Sequence, residues 1–416
     1  MKILYDHQAF TMQHFGGVSK CFCELLLHRP VDMDIDIAIK QTNNTHLIDD
    51  GKKDDGKKDD GKSDMDIDIA IKQTNNTHLI DSKLVEGLIH PAMDFQLFAK
   101  RFPFIAKHKI YQLLNTLSLI KGSEFLNKEE SIRKIKDNKY DVFHATFFDD
   151  YFLPYIGNKP FVITVHDMMP EIFPDYFRKP NPETKRKKEL CEKAAAVIAV
   201  SENTKKDLIR IMDIPEEKIH VVYHGGPKVT EKFSLPLIDG EYFLYVGQRD
   251  AYKNFHQTLV DFSLFHQRFP QVKLVCTGKP FTHFENKMIT DLGLEKVVVF
   301  FRPSDLELLN LYHYAIAFIY PSLYEGFGMP ILEAFSCGCL VLLNKKSCFP
   351  EIAGPAAIYF ESIEGKSNLF QQMIDIYNLS SLEKNELIVK GLSRAGMFNW
   401  AKSSMQLMGI YESCIK

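Results

Sequence analysis

Short apolar runs alternate with helix-length stretches twice over in this chain, and that alternation limits the fold more than any other feature of its 416 residues. The first series has strand-like runs at Lys2 to Tyr5, Val142 to His144, Phe161 to Val165 and Ala195 to Val200, with a helical stretch from Ser19 to His28. The second has Tyr242 to Val246, Lys273 to Cys276, Val297 to Phe301, Ala315 to Tyr320 and Leu340 to Leu343. Strands separated by helices lie parallel, in sheets covered on both faces. The expected architecture is therefore α/β, with two Rossmann-like, doubly wound domains. They span residues 1–225 and 226–396, with the junction near Gly225-Gly226-Pro227.

A hydrophobic content of 45%, with 12% aromatics, is enough to fill two cores. The formal net charge of −3 gives no reason to expect nucleic acid as a partner. Eight cysteines are too sparse for a disulfide scaffold, and Cys21-x-Cys23 and Cys337-x-Cys339 lack the usual C-x2-C metal spacing. Buried thiols are the expectation, with no metal site. The chain opens directly with a strand, and no stretch approaches the roughly 20 apolar residues of a membrane span. The cytoplasm is the expected compartment.

Asp32 to Asp49 recurs without change from Asp64 to Asp81, around a Gly/Lys/Asp spacer at 50–63. Each copy alternates Asp with Met or Ile, the period of a half-buried strand. One copy is needed as a sheet strand, so the other copy and the spacer are expected to form a surface excursion. The Asp32-x-Asp34 pair, repeated at Asp64-x-Asp66, is explained by the strand alternation without a metal.

The segment Tyr324-Glu325-Gly326-Phe327-Gly328-Met329-Pro330-Ile331-Leu332-Glu333-Ala334 carries two carboxylates eight positions apart. Glu325 falls on a glycine-rich loop. Glu333 falls about two turns into a helix that Pro330 can open at its first position. Glycines let backbone N–H groups approach a ligand, and a helix N-terminus favours negative charge. Glu325 can accept hydrogen bonds from sugar hydroxyls, and Glu333 can reach a ribose. Together they suit a nucleotide sugar.

On these residues the chain resembles the retaining glycosyltransferases of family 4, whose E-G-F-G-x-P-x-L-E-A segment carries paired donor-site glutamates. The resemblance implies a GT-B fold, with the two domains facing a central cleft and residues 397–416 crossing back as a helix onto the first domain. It implies an acceptor-side first domain and a nucleotide-sugar-binding second domain. His166-Asp167 through Phe177 resembles the H-D-x-x-x-x-x-F-P-x-x-F segment of a bacterial mannosyltransferase-like subgroup, in which the histidine lies against donor sugar and acceptor. Ala199 to Asp207 and Ser347 to Gly354 fit the same subgroup, with Ser201 as a helix N-cap.

Departure of a nucleoside diphosphate needs its charge neutralised, by a metal or by fixed cations and helix dipoles. Arg249 and Lys253, in the loop after Tyr242 to Val246, lie at a ligand-facing sheet edge and favour the metal-free route. The family motif matches at Gly247 and Lys253, while Gln248 stands where relatives often carry arginine. His166, Arg249, Lys253 and Glu325 are the candidate catalytic residues. Gly16 and Gly17 open a helix after the first strand and, by the resemblance, approach the diphosphate. Gly278, Lys279 and Arg302 are expected at the base, and Gly326, Phe327, Gly328 and Glu333 complete the donor site. The donor is GDP- or UDP-linked, with GDP-mannose preferred, and the acceptor is a glycan or lipid-linked glycan. Bases interleave with aromatics from Phe98 to Lys109, and Lys185-Arg186-Lys187-Lys188 adds a cationic run, a pattern open to peripheral contact at the inner membrane face and equally to an acceptor-pocket lid for the first stretch and a solvated helix face for the second. Two rival classes are open at this point, a GT-B-fold nucleotide-sugar isomerase and a non-catalytic sugar-binding homologue.

Overall fold

The computed structural model describes residues 1–11, 17–29, 33–36, 65–69, 109–110, 123–177, 181–231, 233–249, 251–363 and 366–415. Strands β1 (Lys2–Tyr5), β2 (Met33–Asp36), β3 (Met65–Ile69), β4 (Val142–Ala145), β5 (Phe161–Val165), β6 (Ala196–Ala199) and β7 (Ile219–Val221) form one parallel sheet in the order β2-β3-β1-β4-β5-β6-β7. Strands β8 (Tyr242–Tyr245), β9 (Lys273–Cys276), β10 (Val298–Phe300), β11 (Ala317–Tyr320), β12 (Val341–Asn344) and β13 (Ile358–Phe360) form a second, in the order β10-β9-β8-β11-β12-β13. Both are Rossmann-like.

Helices cover both faces of each sheet, so most of the strand residues are buried whichever way they point. In the first sheet Ile3, Tyr5, Val142 and Val162 face Phe22, Leu26 and Tyr411, whereas Leu4, Phe143, Ile163 and Val197 face Leu190 and Leu208. The second sheet divides in the same way, with Tyr242, Leu244 and Phe318 on one face and Phe243, Tyr245 and Ile319 on the other. The helix Trp400–Ile415 completes the core of the first sheet, although it follows the second in sequence. Its Tyr411 hydroxyl meets the Tyr5 hydroxyl at 2.6 Å and also bonds Nδ1 of His144. At the connection between the sheets, a Cβ on Gly225 would lie 2.5 Å from the Trp400 ring, so only glycine lets the two segments approach this closely.

Both copies of the duplicated segment enter the sheet, which corrects the expectation that one would be an excursion. Strand β3, from the second copy, pairs with β1, and β2, from the first, pairs with β3 in matched register, Met33 opposite Met65 and Asp36 opposite Asp68. An outer strand offers unpaired backbone groups, and a second copy of the same sequence pairs with it without any change of pattern. The spacer at 50–63 and the stretch 98–108 lie outside the described residues. All eight cysteines are free thiols, seven of them buried. Among the described residues, no helix is long and apolar enough to cross a membrane.

Strand order reverses beside β1 in the first sheet and beside β8 in the second, with β1 between β3 and β4 and β8 between β9 and β11. Open parallel sheets bind ligands outside the carboxyl ends of strands at such switch points. The loops after β1, β5, β8 and β11 are therefore where the site is assembled.

Candidate active site

The loop after β11 presents Glu325 and is held by its backbone. Ser347 Oγ donates to the Glu325 carbonyl at 2.6 Å and accepts from its N–H at 3.3 Å, while the Cys348 thiol lies 3.1 Å from the Phe327 carbonyl. Gly328 then turns the chain at φ +89°, a conformation that favours glycine, into the helix Met329–Ser336. The helix begins at Met329, so Pro330 is its second residue and Glu333 lies little more than one turn in, earlier than expected. From the neighbouring strand β8, the short helical turn Ala251–Lys253 is tied to the same loop by Leu323 N–H donating to the Tyr252 carbonyl at 2.8 Å. These ties bring Lys253 Nζ to 2.5 Å from Glu325 Oε1, with the two side chains 17% and 12% exposed. Burial alone would lower the pKa of Lys253, but the adjacent Glu325 carboxylate, helped by Tyr252 and Asp167, raises it overall. The ammonium stays charged.

A second pair spans the cleft. Lys20, in the first domain's helix Gly17–Leu27, donates to Glu333 Oε1 at 3.1 Å, and the Tyr312 hydroxyl donates to Oε2 at 3.4 Å. Burial opposes the Lys20 charge, while Glu333 outweighs it and raises the pKa. A Cβ on Gly17 would lie 2.9 Å from the Met329 methyl, so the N-termini of one helix from each domain meet here. Convergent helix N-termini with two lysines form an anion-binding environment. Gly16 lies outside the described residues.

His166 follows β5, and its carbonyl packs so closely on Gly326 that a Cβ there would overlap it. The docking is reinforced by three contacts between the domains. Ser201, the N-cap of the helix Glu202–Met212, donates from Oγ to the Gly326 carbonyl at 2.6 Å. Glu351 caps the same helix from the other domain, accepting from the N–H groups of Glu202 and Asn203 at 2.7 and 3.0 Å. The Tyr324 hydroxyl donates to Asp207 at 2.9 Å. Burial lowers the pKa of His166 to about 4, with Asp167 opposing and Lys187 lowering it further, so the imidazole is neutral near pH 7. Its Nε2 is buried without a hydrogen-bond partner among the described residues.

Other expected residues are placed elsewhere. Arg249 does not reach the lysine–glutamate group: Nε donates to Glu285 at 2.7 Å, Nη1 to the Thr277 carbonyl at 3.1 Å and Nη2 to the Lys279 and Pro280 carbonyls. Its guanidinium lies against Phe255 and Phe281, 5.4 and 4.8 Å from their ring centres, and is buried. Those bonds make it a strut beneath the β9 loop. Gly278, at φ +105°, has no room for a Cβ against the Gly247 carbonyl, and Lys279 and Arg302 are exposed. Phe327 is buried, with its ring 4.7 Å from His224 and 5.8 Å from Phe398, so its side chain packs the domain junction. Sequence reasoning left Lys20 and Ser347 out of the site. Lys20 follows the Gly16-Gly17 turn by three residues, which was the available signal, whereas Ser347 has no local one.

The arrangement offers a charged acid–base pair on each side of a glycine loop, beside a neutral histidine and two helix N-termini. That suits a ligand combining an anionic diphosphate with hydroxyl groups. Family comparison agrees: residues 99–225 match the model described as glycosyltransferase family 4, and residues 228–377 match that described as glycosyl transferases group 1. The chain is 25% identical over 323 residues to the O-antigen chain mannosyltransferase B of Escherichia coli, covering 71% of this chain and 80% of the relative. It is 29% identical over 216 residues to the O-antigen chain mannosyltransferase RfbU of Salmonella typhimurium, covering 52% of this chain and 60% of the relative. In fold it is similar to Anabaena HepE, solved in complex with UDP and glucose, with a TM-score of 0.67 over 99% of this chain and 100% of HepE at 17% identity. With two Rossmann-like sheets, both halves matched and these relatives, the chain belongs to the GT-B-fold glycosyltransferases of family 4.

Proposed function

We propose that the protein transfers a hexose, by preference mannose from GDP-mannose, to a hydroxyl of a growing polysaccharide or lipid-linked glycan, with retention at the anomeric carbon and without a divalent metal. The observation that carries this reading is the Lys253–Glu325 pair on the loop docked against His166. A nucleotide sugar brings an anion for the lysine and hydroxyls for the glutamate, so it can replace one buried ion pair with two charge-assisted interactions. Lys253 then neutralises the departing diphosphate. Glu325 stabilises positive character at the anomeric carbon through the sugar hydroxyls, and Glu333 holds the ribose. His166, neutral, faces donor sugar and acceptor. The mannose preference draws on the relatives, two of which are named O-antigen mannosyltransferases.

A thermal-shift screen of nucleotide sugars tests the donor, with stabilisation by GDP-mannose above UDP-glucose expected. Product analysis then separates the reaction classes. Consumption of donor only when a glycan acceptor is present supports transfer, and conversion of donor alone would make the protein an isomerase. Turnover in excess EDTA is expected to persist, and its restoration by Mn²⁺ after loss would overturn the metal-free reading.

A further inference from the structure

One residue of the run Lys185-Arg186-Lys187-Lys188 is not on the surface. Lys185 and Lys188 are 83% and 42% exposed, whereas the Lys187 side chain is 0% exposed. On the helix Pro182–Lys193 it shares the inward face with Leu190 and Cys191, three and four residues on. The run therefore does not act as a single membrane-facing cation patch.

Lys187 Nζ donates to Glu171 Oε2 at 2.9 Å and to the Asp167 carbonyl at 3.1 Å, and lies 4.7 Å from the Phe148 ring centre. The partner carboxylate is 2% exposed. A buried ion pair gives little net stability over an apolar pair of similar volume, so packing alone does not explain it. Its geometry suggests why it is there. Residues 166–172 comprise a turn, with Asp167 Oδ1 accepting from Met169 N–H at 3.0 Å, and a four-residue helix, Met169–Ile172. A helix that short is not rigid by itself. Lys187 fastens both of its ends, the Asp167 carbonyl and the Glu171 side chain, and the residue immediately before is His166.

We infer that Lys187 is a positioning residue for the transfer reaction: it staples the turn that sets the His166 carbonyl against Gly326 and its ring against Phe22 and His224. This rests on the role proposed above for His166. The charged and titratable groups around that ring are Asp167 on its own loop, Lys187 on the packed helix, His144 on β4 and His224 on the linker. Loss of the Lys187 cation leaves Asp167 and Glu171, so the His166 pKa rises.

The test compares Lys187→Met with a Lys187→Met/Glu171→Leu double variant, in the full-length protein. Both are expected to bind GDP with wild-type affinity by calorimetry, because the groups proposed to hold the nucleotide, Lys253, Glu333 and Lys20, lie on elements that Lys187 does not fasten. Both should lose about ten- to a hundredfold in kcat, the scale of a misplacement of about an ångström, with donor KM within about twofold. The acidic limb of kcat/KM should move to higher pH in the single variant. Amide exchange by mass spectrometry should accelerate in the peptide covering residues 166–172. If the single variant fails to fold, the double variant, whose buried pair is neutral, decides. Recovery of kcat in the double variant, or exchange unchanged at 166–172, overturns the proposal. Exchange needs no turnover, so absence of transferase activity in the wild-type protein would sink the functional reading while leaving this arm to decide the staple.

Discussion

Glu333 of the second domain and Lys20 of the first meet across the cleft, with carboxylate oxygen and ammonium nitrogen 3.1 Å apart. Neither side chain is fully buried, at 14% and 32% exposed, so the pair contributes about 1 kcal/mol or less. A ligand can displace it. Lys20→Met is therefore expected to leave the melting temperature nearly unchanged. Glu333→Gln is expected to raise donor KM by about 1 to 3 kcal/mol, the worth of a hydrogen bond to a charged group, with kcat little changed. Steady-state kinetics checks this, and an unaltered KM in Glu333→Gln would remove Glu333 from the ribose.

Glu325→Gln is expected to act the other way, lowering kcat more than it weakens donor binding, because its work is done as charge develops. Lys253→Ala should damage both, since the diphosphate is bound in the ground state and gains charge on leaving. Arg249→Ala is the contrast. It strands the buried Glu285 and should cost about 3 to 5 kcal/mol of stability, read as a lowered denaturant midpoint. A folded Arg249→Ala protein of wild-type stability but without turnover would restore Arg249 to the chemistry.

Gly326→Ala places a methyl where the His166 carbonyl already sits. The domains must part or the loop must move, so turnover is expected to fall about 100-fold. Small-angle scattering checks whether the radius of gyration grows, and wild-type activity in this variant would show that the docked arrangement is not the reactive one.

Deleting Asp50 to Asp81 joins the first copy of the repeat to Ser82, the residue that now follows the second. The remaining copy can take the place of β3 beside β1, since the two strands have the same sequence and register. The shortened protein is expected to be soluble with similar melting temperature and turnover. Insoluble product would show that both strands are required.

Burial lowers His7, His144 and His224 to about 3 and His166 to about 4. These folded pKa values lie below the unfolded value near 6.5, so unfolding takes up protons between the two. The stability they contribute is complete above about pH 6.5 and is lost as pH falls toward 4, by about 1.4 kcal/mol per pH unit for each histidine. Asp6, raised to about 6 by burial against its hydrogen bonds, acts in the opposite sense over part of that range and offsets about one of them. Calorimetry at pH 7 and pH 5 should show a clear fall in melting temperature, and a level profile would contradict the burial of these rings.

What the sequence determined by itself was local and periodic. Apolar runs spaced by helix-length segments specify parallel sheets because strand and helix periods sort buried from exposed side chains within a few residues. Ser201 reads as an N-cap, and the glycines around Glu325 mark a loop that must bend and approach closely, for the same reason. The tertiary structure alone decided which charge meets which. Glu325 and Lys253 are 72 positions apart and Glu333 and Lys20 are 313 apart, so no spacing rule pairs them. Arg249 and Lys187 look like solvated or ligand-facing cations in sequence, yet each is buried against a carboxylate supplied by another element. Such an ion pair forms where the chain's path brings opposite charges to about 3 Å, and that path is fixed by how the two sheets and their helices pack.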